Sequence, residues 1–148
     1  MIRKSKSYLK LTTDDKSSLK RTKKGSLFMH TGDNKTAIRI YEKMIKPRRA
    51  AYYARQQAEK TRTMVDYRKV LSLLVSDGSC LAAARLAREK NLNYDAKNLY
   101  EKAIYARAIS GRITDAYQVA LEKAAFTGNK EDTKSAKDLD KLAAIYYS

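Results

Sequence analysis

The chain contains one proline, Pro47, and five glycines among its 148 residues. Because proline and glycine interrupt regular structure, their scarcity leaves long stretches that can form helices. No stretch alternates apolar and polar residues between hairpin turn pairs, the pattern that indicates strands. A chain of this length is sufficient for one domain with a sizeable core. We therefore predict an all-α protein, in which a basic N-terminal arm and a helix-turn-helix precede an antiparallel C-terminal helical bundle.

Capping residues and apolar spacing predict where the helices begin and end. Asn34 or Thr36 caps a first helix that runs to about Lys46, just before the proline. Residues 48–75 form one long helix, which ends at the Asp-Gly pair that follows. Short connections make the helices of the bundle antiparallel neighbours. These helices span about 79–90, 94–109, 113–127 and 131–147.

The positive charge is concentrated in the first half of the chain. The net charge is +16, and residues 1–70 contain 20 Lys and Arg against 6 Asp and Glu, a net of +14. Concentrated like charge repels itself unless a polyanion neutralises it, so nucleic acid is the first candidate partner. The polar, basic residues 1–33 are expected to be disordered in isolation. We assign 1–33 to a basic arm, 34–78 to a nucleic-acid-wrapping region and 79–148 to subunit contacts.

Two rows of cations favour a nucleic-acid partner. The first helix has cations at intervals of four, four and three residues, which places them on one face. The long helix has a second row of cations at intervals of seven residues. At 1.5 Å per residue this row is about 32 Å long, and duplex DNA carries about 19 phosphate charges over the same length. Two members of this row are followed four residues later by a carboxylate, which can form an ion pair with the cation. The row is therefore also compatible with a solvated face that binds no nucleic acid. The rows are Lys35, Arg39, Lys43 and Lys46, and Arg48, Arg55, Arg62 and Lys69.

The spread of these cations favours contacts with phosphates over base reading. Helix-turn-helix and zinc-finger modules concentrate base contacts on one short recognition helix, which this chain lacks. Phosphate contacts position a protein without reading sequence. Tyr52 and Tyr53 are candidates for stacking on bases or sugars. The predicted nucleic-acid contacts are Arg3, Lys4, Lys6, Lys20, Arg21, Lys23, Lys24, Lys35, Arg39, Lys43, Lys46, Arg48, Arg49, Arg55, Arg62 and Lys69.

The inventory of reactive residues argues against catalysis. His30 is the only histidine and Cys80 the only cysteine, so a histidine-based triad, an internal disulfide and a cysteine-rich zinc site are all excluded. Glycine-rich phosphate loops are absent from the sequence, and no apolar run approaches the roughly 18 residues of a membrane span. We predict a non-enzymatic protein without cofactor, metal or membrane span.

Part of the chain resembles the tetratricopeptide repeat family. Ala96, Tyr100 and Ala103 occupy the small, aromatic and small positions at which that family interlocks adjacent helices. The segments that resemble the repeat start 59 and then 20 residues apart, whereas the period of the family is 34 residues. The resemblance implies a helical-repeat adaptor whose basic face binds an acidic protein. The segments that resemble the repeat are residues 32–44, 91–103 and, less well, 111–116.

The order of the segments is similar to that of the coat proteins of archaeal rod-shaped and filamentous viruses. In that family a basic arm and a helix-turn-helix wrap duplex DNA, held in A form, while C-terminal helices pack subunit to subunit in a helical nucleocapsid. The resemblance implies a virion coat subunit that wraps duplex DNA without sequence specificity and self-associates into a filament, alone or with a related second subunit. It assigns wrapping to Lys35, Arg39, Lys43, Lys46, Arg48, Arg49, Arg55, Arg62 and Lys69.

A long charged tail and lysine-rich helices also suit a ribosome- or ribonucleoprotein-associated RNA-binding protein. That alternative implies a cytoplasmic ribonucleoprotein in place of a virion. Steep salt dependence on duplex DNA favours the coat protein, whereas preference for one structured RNA favours the alternative. The sequence leaves both open.

Overall fold

The computed structural model describes residues 11–21, 27–29 and 33–147. Within these residues the fold is all-α, apart from one two-stranded antiparallel ladder. The chain divides into two compact units between Gly78 and Ser79. None of the described helices is long and apolar enough to cross a membrane. The elements are α1 (Thr13–Ser17), β1 (Leu19–Arg21), β2 (Leu27–Met29), α2 (Asn34–Lys43), α3 (Pro47–Thr61), α4 (Met64–Ser76), α5 (Cys80–Glu89), α6 (Asn93–Ile109), α7 (Ile113–Thr127) and α8 (Lys130–Tyr146).

In the first unit the helices α2, α3 and α4 pack in chain order, α2 on α3 and α3 on α4. The middle helix contributes only alanines to the buried core, and small side chains let helix axes approach closely. Larger apolar side chains of α2 and α4 complete that core. The buried residues are Ala37, Ile40 and Tyr41 of α2, Ala50, Ala51, Ala54 and Ala58 of α3, and Tyr67, Val70, Leu71 and Leu73 of α4.

The first helix-turn-helix differs in detail from the prediction. The cap of α2 is Asp33, whose carboxylate accepts the backbone N–H of Thr36 at 2.8 Å, and not Asn34 or Thr36 itself. The helix ends at Lys43 because the chain turns through a left-handed residue, Ile45. Pro47 then takes the first position of α3, where its missing N–H costs nothing.

The prediction of one long helix over 48–75 is wrong. Arg62 is left-handed, with φ 54° and ψ 31°, and ends α3. Thr63 then caps α4 by accepting the N–H of Asp66, a cap that competes with continuation of the helix. The break also changes which side chains are buried. Met64 and Val65, at the start of α4, are 56% and 76% exposed.

In the second unit α5 to α8 pack in chain order, and the predicted boundaries agree with the structure to within two residues. Helix α7 ends at left-handed Gly128, and Asn129 caps α8 by accepting the N–H of Glu131. The buried Lys123 Nζ lies 3.2 Å from Glu101 and 2.9 Å from Asp132, which ties α6, α7 and α8 together. The fully buried small residues include Ala83, Ala84, Ala87, Ala96, Ala103 and Ala116.

Within the full chain, the described part of residues 1–33 forms the short helix α1 and the two-stranded ladder. A capping box starts α1: the Thr12 hydroxyl accepts the N–H of Asp15, and the Asp15 carboxylate accepts the N–H of Thr12. Leu11 and Leu19 are buried on either side of this helix. In the ladder that follows, Lys20 lies opposite Phe28, a pairing that the sequence did not predict.

Candidate nucleic-acid interface

Four of the predicted cations line one surface cleft of the first unit, with a volume of about 380 Å³. Lys35, Arg39 and Lys43 follow one another at intervals of four residues on α2, about 6 Å apart along the axis. Lys69 enters the cleft from α4, and its Nζ lies 2.8 Å from Oε1 of Glu42. The cleft therefore gathers cations from two helices that are far apart in sequence.

Asp15 of α1 binds two of these cations. Its carboxylate is only 2% exposed and accepts hydrogen bonds from Arg39 Nη2 at 2.6 Å and Nη1 at 3.0 Å. Lys43 Nζ lies 3.4 Å from the same carboxylate. Hydrogen bonds from Arg39 hold the pKa of Asp15 well below its ordinary value, and those from Thr12 and Lys43 lower it further. Asp15 thus neutralises part of the positive charge of Arg39 and Lys43.

The charges in the cleft are partly balanced. Glu42 pairs with Lys69, and the Asp66 carboxylate accepts a hydrogen bond from the Thr61 hydroxyl. Lys35 pairs with no carboxylate among the residues that the structure describes. Its ammonium group lies on an exposed turn of α2, directly accessible to a ligand.

The second predicted row does not exist as one line of charge, because α3 ends at Arg62 and α4 starts a new helix. Its members have separate surroundings. Arg48 Nε lies 3.2 Å from Asp77, and Arg55 Nε lies 3.9 Å from Glu59. Lys69 belongs to the cleft. Of the remaining predicted contacts, Arg49 lies over the Tyr41 ring, its guanidinium carbon 5.8 Å from the centroid, and Lys46 precedes α3.

The two tyrosines proposed for base stacking differ in environment. Tyr53 stacks on Tyr41 with ring centroids 5.6 Å apart, and burial raises its pKa. Tyr52 packs against Tyr53 edge-on and is exposed. Only Tyr52 therefore presents a face that a base could cover.

Most of the predicted contacts in the arm lie outside the described residues. The exception is Lys20, which is exposed on β1, while Arg21 is described in its backbone only. The predicted arm contacts outside the described residues are Arg3, Lys4, Lys6, Lys23 and Lys24, and His30 also lies outside them.

Cys80, at the start of α5, is a half-buried free thiol.

Sequence reasoning missed the role of Asp15 and Glu42 at this site. The spacing of Thr12 and Asp15 is that of a capping box, a signal of a helix start that the sequence analysis did not use and that does not reveal the contact with Arg39. In the part of the chain described here, no three His, Cys, Asp or Glu side chains cluster as a metal site would require. The chain matches no known family model, and it has no significant match among characterised proteins or solved structures.

Proposed function

We propose that this protein is a non-enzymatic, structural nucleic-acid-binding protein that contacts phosphates through its first unit. The observation that carries the proposal is the cleft that gathers Lys35, Arg39, Lys43 and Lys69. Nucleic acid presents many phosphates at close spacing, so neighbouring cations release counterions together when they bind it. Because phosphate contacts carry no base information, this binding has no sequence preference.

The carboxylates around the cleft set the strength of this binding. The pair between Lys69 and Glu42 is half-exposed, and exposed pairs contribute little to stability, so a phosphate can replace Glu42 at low salt. Asp15 is buried and holds Arg39 and Lys43 more firmly. Binding should therefore begin at Lys35 and Lys69 and strengthen where Asp15 is displaced.

The assembly that we propose is a helical nucleocapsid in which this chain coats duplex DNA within a virion. The first unit would wrap the duplex, and the second would make the contacts between subunits. The exposed apolar side chains at the end of α8, Leu142 and Ile145, support a contact surface there. A ribonucleoprotein role would use the same phosphate contacts on RNA.

The test is cryo-electron microscopy of the full chain with generic duplex DNA at low salt, combined with binding isotherms over a salt series. We expect filaments, and a log–log salt slope of about −3.6 if four cations contact phosphates. Lys35→Gln with Lys43→Gln should reduce the size of that slope by about 1.8. The matched control, Lys134→Gln with Lys141→Gln on exposed positions of α8, should leave it unchanged.

The outcomes separate the parts of the proposal. An unchanged slope in the cleft variant would show that these cations do not contact phosphates. Binding without ordered filaments would contradict the coat protein but not the phosphate contacts. Stronger binding to one structured RNA than to duplex DNA would favour the ribonucleoprotein.

A helical-repeat adaptor is the second candidate, and the packing of the second unit favours it. Its helices contact their chain neighbours in order, as in repeat proteins. Ala96, Tyr100 and Ala103, the three positions of the tetratricopeptide resemblance, are completely buried. Indifference to both DNA and RNA, with capture of an acidic protein by the basic unit, would favour the adaptor.

A further inference from the structure

The second unit contains a cleft of about 410 Å³ that the nucleic-acid proposal does not use. Three arginines line it: Arg85 from α5, Arg107 from α6 and Arg112 from the turn before α7. Guanidinium groups present planar arrays of donors that match carboxylates and phosphates. Their convergence from three segments makes this cleft a candidate site for an anion.

Two of the arginines are already oriented by carboxylates of α7. Arg85 Nε lies 3.0 Å from Glu122 Oε1 and 3.3 Å from Oε2. Arg112 directs Nε and Nη2 at Asp115 Oδ2, both at 2.7 Å. Each guanidinium pairs with its carboxylate through part of its donors, and its other N–H groups can bind a ligand.

Arg107 is different, because no carboxylate of the described residues lies within ion-pairing distance of it, although Asp115 and Glu122 line the same cleft. It is half-buried, and among the described residues its guanidinium makes one hydrogen bond, from Nη1 to the carbonyl of Ala103 at a long 3.4 Å. A guanidinium has five N–H donors, so most of its capacity is unused. A partly desolvated and uncompensated cation in a concave site is stabilised by an anionic ligand.

We propose that this cleft binds an extended acidic peptide segment of a partner protein. Arg107 takes a carboxylate of the peptide, and the Gln118 amide, which both donates and accepts, can bind its backbone. Leu81 and Val119 form the apolar part of the lining, which suits an aliphatic side chain between two acidic ones. No aromatic side chain is among the described residues of the lining, so no aromatic ring is available there to stack on a nucleobase.

The volume of the cleft agrees with this ligand. Ligand pockets of about 300–1,000 Å³ hold several groups at once, so this cleft exceeds what one phosphate ion needs. The proposal is independent of phosphate binding by the first unit, since no residue of that unit lines the cleft.

The experiment titrates the full-length chain with a fluorescein-labelled hexapeptide of alternating glutamate and leucine, followed by anisotropy. Arg107→Gln should weaken binding about tenfold, which corresponds to one lost anchoring contact. Lys102→Gln removes the same charge from an exposed position of α6 outside the lining, and should change the affinity less than about twofold. Amide chemical-shift changes should centre on Leu81, Gln118 and Val119.

Each alternative result overturns the proposal. Equal losses of peptide affinity in the two variants would mean that binding depends only on the net charge of the protein. Displacement of the peptide by millimolar inorganic phosphate would identify a small-anion site. Weaker duplex DNA binding by Arg107→Gln, but not by Lys102→Gln, would assign the cleft to nucleic acid. Absence of peptide binding at low salt would exclude an acidic peptide as the ligand.

Discussion

The ion pairs of Asp15 yield a prediction with opposite effects on stability and on binding. Asp15→Asn keeps the size of the side chain and an oxygen that can accept the N–H of Thr12, but it removes the charge that holds Arg39 and Lys43. The variant should lower the free energy of unfolding. It should also strengthen binding to duplex DNA, because two cations of the cleft lose their internal partner.

The contacts set the size of both effects. A hydrogen bond between charged groups contributes about 1.5–3 kcal/mol, but the two cations are 49% and 38% exposed and regain water when the carboxylate is lost. We therefore expect Asp15→Asn to cost about 2 kcal/mol in urea unfolding followed by circular dichroism. Because the carboxylate no longer competes with a phosphate for Arg39 and Lys43, the affinity for generic duplex DNA at a fixed low salt concentration should rise by up to about thirtyfold, the factor that corresponds to about 2 kcal/mol. The salt slope should stay near about −3.6, since the same four cations contact phosphates.

Asp14→Asn is the matched control. Asp14 is exposed on the same helix, and the substitution changes the net charge by the same amount without removing an ion pair of the cleft. This control should leave both the stability and the affinity for duplex DNA nearly unchanged. If the two variants raise the affinity equally, the effect comes from net charge, and the cleft has no special role. If Asp15→Asn leaves the affinity unchanged, Arg39 and Lys43 do not contact phosphates.

The pH dependence provides a separate check of the same carboxylate. Its pKa is lowered in the folded protein, chiefly by the hydrogen bonds from Arg39, so the folded state favours the ionised form. The resulting stabilisation is present above the ordinary pKa of Asp, about 3.9, and is lost as the pH falls below it. Stability of the wild type should therefore decline more steeply below about pH 4 than that of Asp15→Asn.

Three further substitutions test other contacts. Lys123→Met should cost about 3 kcal/mol in urea unfolding, because it leaves the buried carboxylate of Asp132 without its cation; a loss below about 1 kcal/mol would mean that the pair is dispensable. Gly111→Ala should lower the melting temperature, because φ is +79° and a Cβ would lie 3.1 Å from the hydroxyl of Tyr146; an unchanged value would refute this packing. Arg62→Asn should preserve stability, since Asn tolerates a left-handed backbone, and should reduce the salt slope by about 0.9 if Arg62 contacts a phosphate.

The sequence predicted the second unit better than the first for a physical reason. Gly128 ends α7 in a left-handed conformation and the Asn129 side chain caps α8, so local signals suffice at this boundary. The break at Arg62 had only a weak signal, since Thr61 and Thr63 flank an arginine in a segment that otherwise reads as one helix. A capping threonine interrupts a helix only where the tertiary contacts that the turn permits stabilise the protein more than continuation of the helix would.

The candidate site was predictable as a set of charges but not as a surface. The intervals along α2 were sufficient to place Lys35, Arg39 and Lys43 on one face. Arg39 and Lys43 have their partner, Asp15, in α1, and Lys69 of α4 pairs with Glu42 of α2, in each case at a sequence separation of more than twenty residues. Such long-range pairs depend on how the helices fold back on one another, which periodicity within a single helix does not encode.

The break at Arg62 also changes what the salt dependence of binding should be. Two continuous rows of four cations each would contact about eight phosphates and give a slope near −7. Because α4 folds back on α3, Lys69 leaves the second row and joins the cleft, its Nζ 2.8 Å from Glu42 of α2. A compact site of four cations predicts a slope near −3.6. A measured value near −7 would mean that Arg48, Arg55 and the arm contribute as much as the cleft. A value near −3.6 in the wild type, with a smaller magnitude in Lys35→Gln, would assign the phosphate contacts to the cleft.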